Sequence, residues 1–210
     1  MTYLTRRKFL QTSAAFTGAL AAGFACRSTA AAPIAVPDVD KVVLQVLVDG
    51  AFDVFSRPQK VNGVTVDVVR SSDFRRPFHA QWGLSMLLDS QRAGDARTIL
   101  LDFGHTPEAL MLNMELQGVD PVKIKAMILS HGHNNHWGGL LGFLEKQRGL
   151  LPADLTLYSG GEDNFCRRHA GPAVGPLPDR GVLERREIAA HRVKLDLAPT
   201  PTVIEGHAFT

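Results

Sequence analysis

Apolar residues along this chain fall into short runs divided by turn signals, and the spacing of the runs alternates between strand and helix periods. Val42 to Val48 is an apolar run, Val64 to Val69 is rich in β-branched residues, and Ile99-Leu100-Leu101 ends in Asp102-Phe103-Gly104. Three early strands are expected from these, making up most of one sheet. Thr106-Pro107-Glu108 then supplies an N-cap hydroxyl, a proline at the first helical position and an early acid, with Gly118 as a stop. The pattern predicts a helix over 109–117. Asp120-Pro121 opens another short helix, and Ala126-Met127-Ile128-Leu129 reads as a buried strand that delivers Ser130 and a histidine run.

Beyond that run, Trp137 to Lys146 is expected as a helix and Leu155 to Tyr158 as a strand. Glu162 to His169 has helical spacing, with Phe165 and Cys166 as inward candidates. The segment 171–181 holds three prolines and three glycines and reads as a loop. Val203-Ile204 is a last short strand. Alternating strands and helices imply an α/β fold. Ala31 to Pro37 is a linker by composition, so the domain is expected over 39–210, with no internal repeat.

Composition narrows the function. With 210 residues, 45% of them hydrophobic and 21% charged, the chain holds one ordinary globular domain once a leader is removed. The net charge of +2 comes from scattered basic residues, several of them near the N-terminus. No basic stripe exists for nucleic acid, and a small-molecule substrate is the expected partner. The oligomeric state is left open. Cys26 and Cys166 cannot build a disulfide framework, and Cys26 falls within the leader.

That leader is residues 1–32. Thr5-Arg6-Arg7-Lys8-Phe9-Leu10 precedes an Ala-rich apolar stretch from Ala14 to Ala25, then Ser28-Thr29-Ala30-Ala31-Ala32 forms a small-residue cleavage zone. The segment resembles a twin-arginine export signal and implies a periplasmic or extracellular protein. Its apolar stretch is too short for a stable membrane span. A lipid anchor at Cys26 is disfavoured, because Gly23-Phe24-Ala25 lacks the aliphatic residue such signals carry before their cysteine.

The chemistry concentrates in His131-Gly132-His133-Asn134-Asn135-His136. Three imidazoles within six positions, on the turn after a buried strand, can converge on one point, and neutral imidazoles suit a borderline-soft cation such as zinc. His79, His105 and His191 have no such company; His191 reads as a surface residue, and His105, close behind Asp102-Phe103-Gly104, reads first as a surface residue and second as a lining residue of the site. Trp82 and Trp137 are candidates for a pocket mouth or for packing.

This run, with Trp137-Gly138-Gly139-Leu140 behind it and Asp102-Phe103-Gly104 ahead of it, resembles the metallo-β-lactamase superfamily. Its strands end in His-x-His-x-Asp-His before a Gly-Gly-Leu helix start. Val48-Asp49-Gly50 and Gln81-Trp82-Gly83-Leu84-Ser85 are similar to the dihydropterin-phosphate-synthase-like branch, with polar positions altered. The resemblance implies an αββα sandwich, of which the chain supplies the first half and part of the second. It implies that His131, His133 and His136 hold one zinc ion, that Asp102 orients a ligand histidine, and that Asn135 positions water or substrate.

Three departures bear on mechanism. Asn135 stands where relatives carry an aspartate for a second metal, so that second site is expected to be weak or absent. Tyr158-Ser159-Gly160-Gly161 replaces a histidine-bearing segment, for which Glu162, Asp163, Cys166 or His169 are the candidate substitutes. The remaining ligands of relatives come from a second half, and with Thr210 as last residue the domain reads as incomplete at its C-terminus; His207 is the last candidate ligand. The expected activity is a metal-dependent hydrolase acting through an activated water on an ester, lactone, amide or phosphoester. The rival reading is a non-catalytic metal-binding remnant or a half-domain that needs a partner chain.

Overall fold

The computed structural model describes residues 34–169 and 178–210. The arginine-pair leader and most of the Pro/Gly-rich loop after Gly171 lie outside the described residues. Ten strands occur among those described: β1 (Lys41–Val48), β2 (Gln59–Val61), β3 (Val64–Val66), β4 (Ser85–Arg92), β5 (Asp95–Leu101), β6 (Ile124–Leu129), β7 (Thr156–Ser159), β8 (Lys194–Asp196), β9 (Val203–Ile204) and β10 (Ala208–Phe209). The main sheet runs β1-β4-β5-β6-β7-β8. Its β1/β4 and β4/β5 pairs are antiparallel, and β5 through β8 pair in parallel. The helices are α1 (Pro107–Leu116), α2 (Asn134–Trp137), α3 (Leu140–Gln147) and α4 (Arg185–Ala190). The expected α/β class holds.

Local chemistry accounts for the elements. Thr106 caps α1, its hydroxyl accepting from the Ala109 N–H, and Gly118 ends the segment at φ 67°. Asp120 caps a 3₁₀ turn, Pro121–Lys123, that feeds β6. Ala93-Gly94, both in the left-handed region, close the β4–β5 hairpin.

Several expected elements are corrected. The β-branched run at Val64 does not join the main sheet. It pairs only with β2, across Asn62-Gly63 at φ 49° and 84°, in an exposed two-stranded ribbon. An Asn-Gly pair beside so short a run favours a tight local hairpin over a distant sheet. The helix expected from Trp137 to Lys146 is two helices, α2 and α3, interrupted at Gly138-Gly139. Glu162 to His169 narrows to one 3₁₀ turn, Glu162–Phe165; Phe165 packs against the core while Cys166 is exposed.

One face of the sheet carries the main core. Leu47, Leu87, Leu100, Met127, Leu129 and Leu157 from the strands meet Leu110, Met114, Leu140, Phe143 and Leu144 from α1 and α3. Burial of this kind supplies the dominant stabilising term. The opposite face is covered less. Ile99, Ala126 and Ile204 form a small cluster beneath β9 and β10, while Val42, Leu44 and Val46 of β1 stay exposed. Beyond α3, the Arg148 guanidinium donates to the carbonyls of Leu151, Pro152, Ala153, His191 and Arg192, tying the α4–β8 corner to the end of α3. No helix among the described residues is long and apolar enough to cross a membrane.

The topology then sets where chemistry can sit. Because β5, β6 and β7 are parallel, their C-terminal ends open on one edge of the sheet, where loops after strands converge. The end of β1 and the start of β4 lie on the same edge, since Val48 pairs with Ser85.

Candidate metal centre

Leu101 leads off β5 into Asp102, whose backbone turns into the left-handed region at φ 56°, a conformation aspartate tolerates better than most residues. That turn brings the Asp102 N–H to the Ile128 carbonyl at 2.9 Å and the Phe103 N–H to the His136 carbonyl at 2.7 Å. The end of β5 is thereby stitched to β6 and to the histidine loop. Asp102 is fully buried. Its Oδ1 accepts from the Ser130 N–H at 2.8 Å, and its Oδ2 lies 2.6 Å from Ser130 Oγ and 2.7 Å from His136 Nδ1. A buried carboxylate is tolerated here because polar donors surround it.

The three imidazoles of the run stand together. His131 Nε2 is 3.0 Å from His133 Nδ1, and the ring centres of His131 and His136 are 4.0 Å apart. Burial first, then the neighbouring imidazoles of His136 and His133, push the His131 pKa below its ordinary range, against an upward pull from Asp102. Both effects favour the neutral ring, the form that offers a lone pair. His133 precedes α2 in extended backbone, and Asn135 and His136 lie within that helix. Asn135 is buried, and its carbonyl accepts from the Leu84 N–H at 3.3 Å.

Two zinc–nitrogen bonds of about 2.05 Å span roughly 3.3 Å in a tetrahedron, close to the 3.0 Å between His131 Nε2 and His133 Nδ1. With His136 Nδ1 engaged by Asp102, the other nitrogen of that ring is left for a cation. Donor type and tautomer control fit. Among the described residues, however, no three His, Cys, Asp or Glu side chains already enclose a common point.

Glycines let the loops approach this closely. A Cβ at Gly139 would lie 2.1 Å from the Phe103 carbonyl oxygen, one at Gly138 2.2 Å from that of His105, and one at Gly83 2.2 Å from that of Asn135. The Gly-Gly pair is thus the contact surface on which the Asp102 turn rests. Gly139→Ala is expected to lower the melting temperature of the metal-free protein by about 3–10 °C, because relief must come from backbone movement. A melting curve superimposable on wild type would contradict that packing.

The remaining candidates fall elsewhere. His207 bonds Ser90 Oγ at 3.1 Å and Asp95 at 3.3 Å, at the far end of β5 from Asp102, about 20 Å along the strand. The structure does not bring it to the histidine run, because β9 and β10 fold back over the open sheet face. Glu162 pairs with Arg185, Asp163 offers its carbonyl to Arg168, and His169 bridges to Asp179. None of these bonds the three imidazoles. His105, expected at the surface, has its Nδ1 buried without a hydrogen bond and its ring 5.8 Å from that of Trp82. Trp82 itself is exposed, whereas Trp137 packs on the core and donates to the Gly132 carbonyl. Two residues that the sequence names without giving them a role matter for the site. Ser130 donates to the Asp102 carboxylate from both its backbone N–H and its hydroxyl, and Gln81 both donates to and accepts from Thr106, anchoring the return into β4.

A profile of the Metallo-beta-lactamase superfamily matches residues 83–208, and the chain belongs to that superfamily. Its members include metal-dependent hydrolases of phosphoesters and lactams and typically bind zinc. Over 79 residues the chain is 35% identical to 7,8-dihydropterin-6-methyl-4-(beta-D-ribofuranosyl)-aminobenzene-5'-phosphate synthase of Methanocaldococcus jannaschii, a match covering 38% of this chain and 27% of that protein. Among solved structures, a diphosphatase of the PhnP family is 21% identical with a TM-score of 0.41, covering 78% of this chain and 54% of its own. The Rm3 metallo-beta-lactamase is 18% identical with a TM-score of 0.37, covering 61% and 44%. The chain thus spans between about a quarter and about half the length of these relatives.

Proposed function

We infer that this protein is a zinc-dependent hydrolase whose reaction takes place at the edge of the sheet where His131, His133 and His136 meet Asp102. The single observation that carries this reading is the pairing of Asp102 Oδ2 with His136 Nδ1 at 2.7 Å, beside a second pair of imidazole nitrogens 3.0 Å apart. A carboxylate behind a histidine is the arrangement that fixes a ligand's tautomer and raises its basicity. His131, His133 and His136 would hold the ion, and Asp102 would orient His136. Bound zinc supplies an acidified water and polarises a carbonyl or phosphoryl oxygen. The Asn135 amide would orient water or substrate without adding charge. Exposed Trp82, three residues ahead of the β4 start at Ser85, borders the same edge. The leader carrying Arg6-Arg7 supports action outside the cytoplasm.

The test is turnover. Zinc-loaded protein is expected to hydrolyse at least one of three chromogenic probes, a phosphodiester, a lactone and a lactam, and to lose that activity on treatment with a chelator. Zinc bound at one equivalent with no hydrolysis of any probe would favour the reading in which the chain binds metal without turning over.

A further inference from the structure

Ser130 sits between the carboxylate and the histidine that the carboxylate does not reach. Its Oγ is 2.6 Å from Asp102 Oδ2 and 3.0 Å from His131 Nδ1. A hydroxyl has one proton and two lone pairs, and a carboxylate can only accept. The Ser130 proton therefore goes to Asp102, which leaves Oγ facing His131 Nδ1 as an acceptor. A neutral imidazole carries one N–H. For the 3.0 Å contact to be a hydrogen bond, that N–H must be on Nδ1, and His131 Nε2 is then bare, facing His133 Nδ1 at 3.0 Å. His136 needs no such intermediary, because its Nδ1 reaches Asp102 directly at 2.7 Å and lies 3.4 Å from the serine.

We propose that Ser130 is a positioning residue that extends the reach of Asp102 to His131, so that one buried carboxylate sets the tautomers of two histidines. Asp102 is fully buried, with its Oδ1 held by the Ser130 backbone N–H, so the carboxylate cannot swing toward His131 by itself. The serine backbone and hydroxyl grip both of its oxygens, which makes the relay rigid. Ser130 is itself exposed, so removing its hydroxyl takes away little packing and leaves the fold intact. The proposal rests on the metal-centre reading for its consequence, but its tautomer claim is a property of the metal-free chain.

Two measurements on the full chain test it. In metal-free protein, nitrogen-15 spectra of the histidine rings should show Nδ1–H at both His131 and His136. Ser130→Ala should abolish that preference at His131 alone, and Ser130→Thr, which keeps the hydroxyl, should restore it. In a competition titration with a chromophoric chelator, Ser130→Ala should bind zinc about tenfold more weakly, and Ser130→Thr should return to near wild type. A His131 tautomer unchanged in Ser130→Ala, together with unchanged zinc affinity, overturns the proposal. Wild-type protein that shows the Ser130-dependent tautomer but binds no zinc would uphold the relay and refute the metal centre instead.

Discussion

Asp102→Asn is expected to weaken zinc binding by about 100-fold while leaving the fold largely in place. Asparagine fits the same space, and like aspartate it tolerates the left-handed backbone seen at φ 56°. Its carbonyl oxygen can still accept from the Ser130 N–H. Its NH₂ then occupies the place of Oδ2, facing two groups that now donate to it, Ser130 Oγ and His136 Nδ1. The serine can rotate its proton away. The His136 ring can answer only by moving its proton to the other nitrogen, which removes the lone pair a cation would use. Losses of 10–100-fold follow removal of outer partners of metal ligands, and a wrong tautomer places this change at the upper end. Asp102→Ala should behave differently, because it strands buried donors and so lowers stability by about 3 kcal/mol. Chelator competition and chemical denaturation of the metal-free proteins separate the two effects. Tight zinc binding by Asp102→Asn would remove the carboxylate from the account.

His133→Ala has the other large expected effect. Purified wild-type protein should retain about one zinc per chain, and the variant should fall to background, since three imidazoles are already the minimum shell for a catalytic site. His133 is the exposed member of the trio and caps no helix by its side chain, so its loss leaves the core untouched. Hydrolytic activity should vanish with the metal. Elemental analysis giving equal zinc in both proteins would exclude His133 as a ligand.

Elements with local causes are legible in the residues alone. The helix after Thr106-Pro107, the 3₁₀ turn after Asp120 and the strand ahead of Ser130 each follow from caps or apolar runs within a few residues. β4 was overlooked because its buried positions include Ser85 and Ser90, polar residues satisfied by the Asp102 carbonyl and by His207 far along the chain. The short elements α4 and β8 were missed for a similar reason. Each buries little apolar surface of its own, and the corner between them depends on Arg148, more than 40 residues earlier in sequence. Val64 misled because a β-branched run signals a strand without naming its partner.

The site divides along the same line. The histidine run and Asp102 could be picked out by residue type and spacing, since a metal needs its donors close together. That Asp102 would meet His136 rather than another ring is a matter of strand register, which brings the end of β5 beside β6. His207 shows the converse. Its residue type made it a candidate, yet Ser90 and Asp95 satisfy both its nitrogens at the opposite end of the sheet. The glycine pair at 138–139 was legible as a motif, but its reason is tertiary, the backbone of Phe103 and His105 leaving no room for a side chain.

The central claim is that three imidazoles of the run from His131 to His136 hold zinc. X-ray absorption at the zinc edge of the purified, zinc-loaded protein tests it most directly. The account predicts a nitrogen and oxygen shell at about 2.0 Å with the outer scattering pattern of about three imidazole rings. A shell containing sulfur at about 2.3 Å, which would make Cys166 a ligand, or a shell without imidazole scattering, would contradict it.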